Sequence, residues 1–495
     1  MGQLNRSLYG TRDAAMNWAK AYTQLLVENG FTVGRANPCN FYHAEREISL
    51  TVHGDDFTST ARERDLKWLE RLFASKFEAK TEYLGPAARH SKRVRILNRV
   101  IAWNEDGITY EADQRHAEIV VRELGLEGAK AVSTPGSRDD ASKMSSINVD
   151  SVYGDCGFEK DSEDLLTGFE ATKFRAITAR LNYLAQDRPD IQYAVKEVAR
   201  RMANPRRGDW LALKRVGRYL VGAPRAVQGF WWQDMPKELS TYVDSDWAGC
   251  RSTCRSTSGG AVKLGGHTLK TWSTTQATIA LSSAEAELYA LTKGAAMTLG
   301  IAAMCADLGL DLGATVFSDA SATLSIVQRQ GLGKLRHVNV QYLWTQERIR
   351  GGDFAVGKVW GKENAADLMT KHLPANELHG HLERLGFKVD ATRSEIAPQL
   401  NAFGPGDEME DQWKQDDNGL IIMNHFKARR DLFTPLRVAG SPPVKSLTAV
   451  TITRGVFDDG REFCRRDNWT TRSTAHLRLA RPWTGTTTFV MKASE

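Results

Sequence analysis

The chain reads as an α+β protein whose middle holds a mixed sheet with helices on its faces. Two observations predict this: the apolar spacing there switches between a period of two and a period near 3.6, and turn-like segments separate the runs. A third is that carboxylates recur where the predicted elements end. Leu239 to Val243 alternate as a half-buried strand does, and Asp244 follows them in Tyr-Val-Asp-Ser-Asp-Trp-Ala-Gly. A hairpin and a further strand come next. Leu288, Leu291, Ala295, Leu299 and Ala302 then recur at helical spacing, with Glu287 near the start of that helix in Ser-Ser-Ala-Glu-Ala-Glu-Leu. Ser282 is suited to cap this helix. Glu285 falls at its third position, the geometry of a capping box, while Glu287 lies about 200° further round, on the flank toward the sheet. Thr315 to Ser318 form a short strand-like run ending at Asp319, followed by a helix-compatible stretch. Phe354 to Trp360 read as the last strand, and Asp367, in Glu-Asn-Ala-Ala-Asp-Leu, falls in a final helical segment.

One such acid alone would be an ordinary turn or cap residue. Four that converge would form a hard-oxygen cage for Mg²⁺, which prefers carboxylates and phosphate oxygens. Two such ions can drive in-line attack of water on a phosphodiester.

The order of elements and their text resemble the ribonuclease H domain of copia-type retrotransposon polyproteins over roughly residues 239–375. The matching strings are Asp244-Ser-Asp-Trp-Ala-Gly249, Arg255-Ser-Thr-Ser-Gly259, Trp272-Ser-Thr-Thr-Gln276, Ala280 to Leu288 and Ala366-Asp-Leu-Met-Thr-Lys371. The resemblance implies a ribonuclease H-like mixed five-stranded sheet. It makes Asp244, Glu287, Asp319 and Asp367 the catalytic, metal-binding acids, with two Mg²⁺ ions as cofactor and Mn²⁺ as an alternative. Asp244 would lie between the ions. The implied reaction is endonucleolytic cleavage of the RNA strand of an RNA–DNA hybrid, with RNA chosen through 2′-hydroxyl contacts across the minor groove. Arg255, Ser256 and Ser258 are candidate contacts to the hybrid, and a plain turn accounts for them equally. Arg336-His-Val-Asn339 departs from the family's Lys-His-Ile-Asp.

Upstream, Leu8-Tyr9-Gly10, Ala14 to Trp18, Asn37-Pro38 with Phe41, and the pair Asp55-Asp56 resemble the palm of a copia-type reverse transcriptase. Polymerase chemistry needs carboxylates around two ions, and the family takes a third acid from an earlier strand that would precede residue 1. Asp55 and Asp56 therefore read as remnant polymerase acids. Here they follow His53-Gly54 where the family has Tyr-x, and the glycine is expected to loosen the hairpin. Residues 83–235 resemble the connecting thumb segment, through strings such as Asp113-Gln114, Thr134-Pro135 and Arg188-Pro-Asp-Ile191. Lys196, Arg200, Arg201, Arg206, Arg207, Lys214, Arg215 and Arg218 crowd a helical stretch there, as a phosphate-tracking surface would, or as a solvated helix face would.

The expected organisation is a partial palm over 1–82, the connecting segment over 83–235 with an exposed loop at 136–170, the ribonuclease H domain over 236–375, a linker over 376–418 and a tail over 419–495. Val450-Thr-Ile-Thr453, Val456-Phe457 and the turn pair Asp459-Gly460, with Trp469 and Trp483, suggest a small β unit in the tail. A net charge of +6 and a pI near 8.9 permit a polyanionic partner. Six scattered cysteines show no pairing rhythm and no zinc spacing, which fits a reducing, intracellular compartment. Uncharged apolar runs such as Gly294 to Ala306 are short of the ~20 residues a membrane span needs, and no signal peptide is evident. The expected partners are nucleic acid, above all an RNA–DNA hybrid, and other products of the polyprotein, but no membrane. Two alternatives stay open: part of a working RNA-directed DNA polymerase completed by upstream sequence, or a decayed relic that only binds nucleic acid.

Overall fold

The computed structural model describes residues 13–137, 165–250, 252–331, 333, 337–399, 413–415, 421–423 and 486–493, the last three stretches as backbone strands. Leu8-Tyr9-Gly10, most of the expected 136–170 loop, Arg336 and the predicted tail strands around Val450 to Phe457 fall outside the described residues. The chain divides into two units, Met1–Pro398 with Ser473–Glu495, and Gln399–Arg472. In the second, Trp413–Gln415 pairs antiparallel with Ile421–Met423.

The N-terminal module contains α1 (Ala14–Glu28), β1 (Thr32–Val33), β2 (Asn40–His43), β3 (Ile48–His53), β4 (Asp56–Arg62), α2 (Glu63–Ala74) and β5 (Ala79–Leu84). Helix α2 forms where Leu66, Leu69 and Phe73 repeat at helical spacing, and acids in its first turn with Arg71 in its last suit the helix dipole. Those three side chains join Tyr22, Leu26, Phe41, Leu50 and Phe57 in one core. The strands run β1-β2-β3-β4, and then the C-terminal strand Thr486–Ala493 lies between β4 and β5, antiparallel to both. The tail thus contributes a strand to this sheet.

The connecting module has β6 (Arg93–Ile96), β7 (Arg99–Asn104), β8 (Gly107–Glu111) and β9 (Arg225–Trp231) in one antiparallel sheet. Helices α3 (Arg115–Glu123), α4 (Gly168–Leu184), α5 (Pro189–Ala199) and α6 (Arg207–Gly222) bury Phe174, Ile177, Leu181, Ile191, Val195, Leu213 and Val216 together. The string Arg188-Pro-Asp-Ile191 acquires a physical reason here. Pro189 opens α5, where its missing N–H costs nothing. Arg188, 1% exposed, donates two bonds to Asp190, at 2.9 and 2.6 Å, and others to the carbonyls of Ala223 and Pro224.

The third module is the mixed sheet. It comprises β10 (Glu238–Asp246), β11 (Thr257–Leu264), β12 (His267–Thr275), α7 (Ser283–Asp307), β13 (Gly313–Ser318), α8 (Ser321–Gln328), α9 (Trp344–Arg350) and β14 (Ala355–Lys358). The five strands lie in the order β12-β11-β10-β13-β14, antiparallel over the first three and parallel from β10 to β14. This matches the expected sheet. Helix α7 has 25 residues and is apolar enough to cross a membrane by length and composition. Its Leu288, Leu291 and Ala295 are instead buried with Leu239, Val243 and Val316, so it is the core helix of this module.

One expectation changes. Residues 376–418 do not begin as a linker: α10 (Ala375–Arg384) and β15 (Phe387–Asp390) follow directly, and β15 returns to pair with β9. Leu378, Leu382, Leu385 and Phe387 share a small core with Leu368 and Met369, which explains why that segment is ordered. Asp367 lies in a short 3-10 helical turn, Ala365–Met369. Asn364 ties this turn down, accepting the Ala366 N–H at 3.2 Å and donating to the Val243 carbonyl at 2.9 Å.

Candidate metal centre

Parallel pairing of β10 with β13 sets Tyr242 opposite Phe317. Asp244, still within β10, and Asp319, just past β13, each two residues further on, therefore lie at the same end of the sheet. Helix α7 crosses that end with its first turns and brings in Glu287. One carboxylate oxygen from each of Asp244, Glu287 and Asp319 lies within 4.8 Å of the other two. Of the four expected acids, three form this tight group. Asp367 approaches from the turn tethered to β10, and its buried Oδ1 accepts no well-aligned hydrogen bond, although Lys371 Nζ is 3.0 Å away.

Burial dominates the electrostatics, and crowding of like charges adds to it. Burial, then Glu287 and Asp367, push the Asp244 carboxyl well above the usual range, against the opposing pull of Lys371 and Thr370. Burial raises Glu287 to about 7, with Asp319 adding to it and hydrogen bonds from Ser245 opposing it. Burial and Asp367 raise Asp319 as well. Buried acids that resist ionisation when close together are the signature of a site that a cation would satisfy. The donor set is all hard oxygen and fits Mg²⁺ or Mn²⁺.

Several supporting residues had no distinct signal in the sequence. The Ser245 N–H and hydroxyl each donate to Glu287 Oε1 at 3.0 Å. Thr370 donates its hydroxyl to Asp244 Oδ2, and Lys371 Nζ sits 3.9 Å from the same oxygen. Both belong to the Ala366 to Lys371 string, which could have flagged them. Glu285 stays outside the group. The Ser282 hydroxyl accepts from its N–H at 3.2 Å as expected of a cap, and its carboxylate accepts from the Leu281 N–H at 2.9 Å, from Tyr289 and from His337 Nε2 at 2.9 Å.

The expected hybrid contacts divide. Arg255 is exposed on the loop before β11. Ser256 and Ser258 are 0% and 3% exposed, so neither is a surface contact. The Ser256 hydroxyl accepts the Ala248 N–H at 3.0 Å across the β10–β11 connection, and the Ser258 hydroxyl, within β11, accepts from Gln276 at 3.0 Å. Several basic side chains on and just after α5 and on α6 have internal partners, while Arg207 is exposed. Arg200 pairs with Glu197 at 2.9 Å, Arg201 reaches Asp209 at 3.7 Å, Arg215 donates to Thr134 at 3.1 Å and Arg218 to the Lys130 carbonyl at 2.9 Å. Lys214 is half-buried.

Asp55 and Asp56 lie at the β3–β4 turn, where His53 pairs with Asp56 across two residues. Gly54 has φ +65°, the left-handed region, so it closes a tight turn instead of loosening the hairpin. Trp18 Nε1 donates to the Gly54 carbonyl at 2.9 Å and fixes the turn further.

A mixed sheet with an acid group at the shared end of its parallel strands, joined to two further α+β modules, defines a multi-module protein with a candidate divalent-metal centre. No protein-family model matches the chain. It is 26% identical over 394 residues to the retrovirus-related Pol polyprotein from transposon TNT 1-94 of Nicotiana tabacum, covering 78% of this chain and 28% of that protein. It is 27% identical over 396 residues to the corresponding polyprotein from transposon RE1 of Arabidopsis thaliana, covering 78% and 25%. An uncharacterized mitochondrial protein of Arabidopsis thaliana is 34% identical over 183 residues, 37% of this chain and 68% of its own length. The chain is a homologue of retrovirus-related Pol polyproteins from copia-type plant transposons. It spans about a quarter of the length of the two polyproteins, 28% and 25%. A foamy viral protease-reverse transcriptase solved in complex with RNA/DNA hybrid aligns with TM-score 0.40 and 12% identity over 80% of this chain and 42% of that one, a likeness too slight to argue from.

Proposed function

We propose that the mixed-sheet module is a ribonuclease H that cuts the RNA strand of RNA–DNA hybrids, attached to a reverse-transcriptase palm that does not polymerise alone. The observation that carries this reading is the meeting of Asp244, Glu287 and Asp319 within 4.8 Å. Two divalent ions, when bound, would activate water and stabilise the charge that develops on phosphorus and the leaving oxygen. Asp244, pressed by Glu287 and Asp367, would be one of the residues that hold the ions. Glu287, Asp319 and Asp367 would complete the ligand set. Ser245 holds Glu287 in its rotamer, and Thr370 holds Asp244, so the ligands are positioned before any ion arrives. Lys371 balances the acids without metal and, on its flexible stem, can turn toward substrate phosphate once ions take over that role.

The test is strand selectivity. The full chain, given end-labelled RNA in an RNA–DNA hybrid, should release shorter RNA with Mg²⁺ or Mn²⁺ and none with chelator. Duplex DNA and duplex RNA should stay intact. Cutting of duplex DNA, or cutting that survives chelation, would overturn the reading.

A further inference from the structure

We infer that the N-terminal module is fastened to the mixed-sheet module by a carboxylate held in a backbone nest, with Asp307 as the guest and the loop from Gly34 to Asn37 as the host. Asp307 is the last residue of α7. Its Oδ1 accepts the N–H of Arg35 at 2.7 Å and of Ala36 at 3.2 Å, and its Oδ2 those of Ala36 at 3.0 Å and Asn37 at 2.8 Å. Three successive backbone N–H groups aimed at one carboxylate make an anion-binding concavity. Gly34 is needed at its rim, because a Cβ there would come within 2.5 Å of both Asp307 Oδ2 and the Asn37 carbonyl. Beside the nest, the buried Ser49 hydroxyl donates to the Leu308 carbonyl at 3.0 Å.

Helix α7 itself has no use for this acid. A helix C-terminus carries partial negative charge and favours cations, and the last turn of α7 has none. An aspartate there is disfavoured unless donors from another element meet it, and the N-terminal module supplies them. The two modules are far apart in sequence, 270 to 272 residues between the bonded groups, so the contact joins parts that chain connectivity leaves separate.

The joint gives the palm a task that needs no polymerase chemistry. It grips one end of the helix whose first turns hold Glu287, twenty residues or about 30 Å away along the helix axis. The N-terminal module therefore buttresses α7. The inference does not rest on the ribonuclease reading, because its test requires no cleavage.

Hydrogen exchange of the full chain, read by mass spectrometry, decides the matter. Wild type should be compared with Asp307→Asn, which keeps size but turns an amide N–H₂ toward donors, with Asp307→Ala, and with Ser49→Ala. The amides of residues 35–37 should be protected in wild type and exchange about tenfold faster in both Asp307 variants, as expected when bonds to a charged acceptor are lost. Ser49→Ala should loosen the same region less, and amides of β10 and β11 should not change in any variant. Equal exchange at 35–37 in wild type and the Asp307 variants would overturn the inference. So would loss of protection throughout β10 and β11, since that would make Asp307 a folding residue of its own module and not a joint.

Discussion

Glu285 and Glu287 sit two residues apart in one string, and exchanging each for glutamine should have opposite consequences. Glu287 is 7% exposed, and Gln at this position can keep accepting from Ser245 N–H and Oγ. What it removes is a buried charge beside Asp244 and Asp319. Burial, chiefly, raises Glu287 from 4.5 to about 7. A carboxyl raised by folding contributes stability below the unfolded value near 4.5 and loses it as pH rises through about 7. At about 1.4 kcal/mol per pH unit, the metal-free wild type gives up roughly 3 kcal/mol over that window. Glu287→Gln escapes the loss. It should be the more stable protein at pH 8 without metal, near wild type at pH 4, and inactive on hybrid. Glu285, 2% exposed, behaves the other way. Burial resists its ionisation, but hydrogen bonds from Tyr289, His337 and the Leu281 N–H prevail and lower its pKa. Its stability contribution is present above the ordinary glutamate range and lost as pH falls through the lowered value. A cap alone is worth about 1 kcal/mol, and the bonds from Tyr289 and His337 to a charged acceptor raise the expected cost of Glu285→Gln to about 2–3 kcal/mol at neutral pH. Cleavage should largely survive. Metal-free melts at pH 4 and pH 8, with hybrid cleavage at neutral pH, test both. Destabilisation by Glu287→Gln at pH 8, or abolished cutting in a folded Glu285→Gln, would refute the assignment of these two roles.

Arg188→Ala should cost about 3–5 kcal/mol in urea unfolding, because it strands Asp190 and two carbonyls in the interior, and a cost under 1 kcal/mol would show the pair is not buried in solution. Lys371→Met removes the one ammonium in contact with Asp244 and Asp367 among the described residues, so Mn²⁺ should bind about tenfold tighter by calorimetry, near 1.4 kcal/mol for a like charge taken from the site. Weaker Mn²⁺ binding would mean that Lys371 organises the acids instead of competing with cations. Primer extension on an RNA template should be absent for the chain alone, since Asp55 and Asp56 join no three-acid group among the described residues, and nucleotide incorporation above background would contradict that.

Much of the mixed-sheet module was legible because local pattern and global fold agree there. The alternation before Asp244, the leucine spacing after Glu287 and the Ser282 cap each specify an element without help from distant residues. Asp367 was harder. Its turn is held by Asn364 bonding to Val243 across 121 residues, a contact that no local period encodes. The same limit hid β15, whose four residues are a strand only because β9 offers them an edge. The hydroxyls of Ser256 and Ser258 looked available because loop serines usually are, and only the fold shows them turned inward. For Asp55 and Asp56 the glycine was read as a weakness, when its position at the first turn residue makes it the element that closes the hairpin.

In the proposed function, the acids meeting at the end of β10 and β13 hold the ions that cut RNA. The most direct measurement is cleavage of a labelled RNA–DNA hybrid by the wild-type chain and by Asp244→Asn at equal concentration, with Mg²⁺, after both are shown to melt as folded protein. Wild type should cut the RNA strand, and Asp244→Asn should show no cutting above background. Undiminished cleavage by Asp244→Asn, or no cleavage by a folded wild type with either Mg²⁺ or Mn²⁺, would contradict the account.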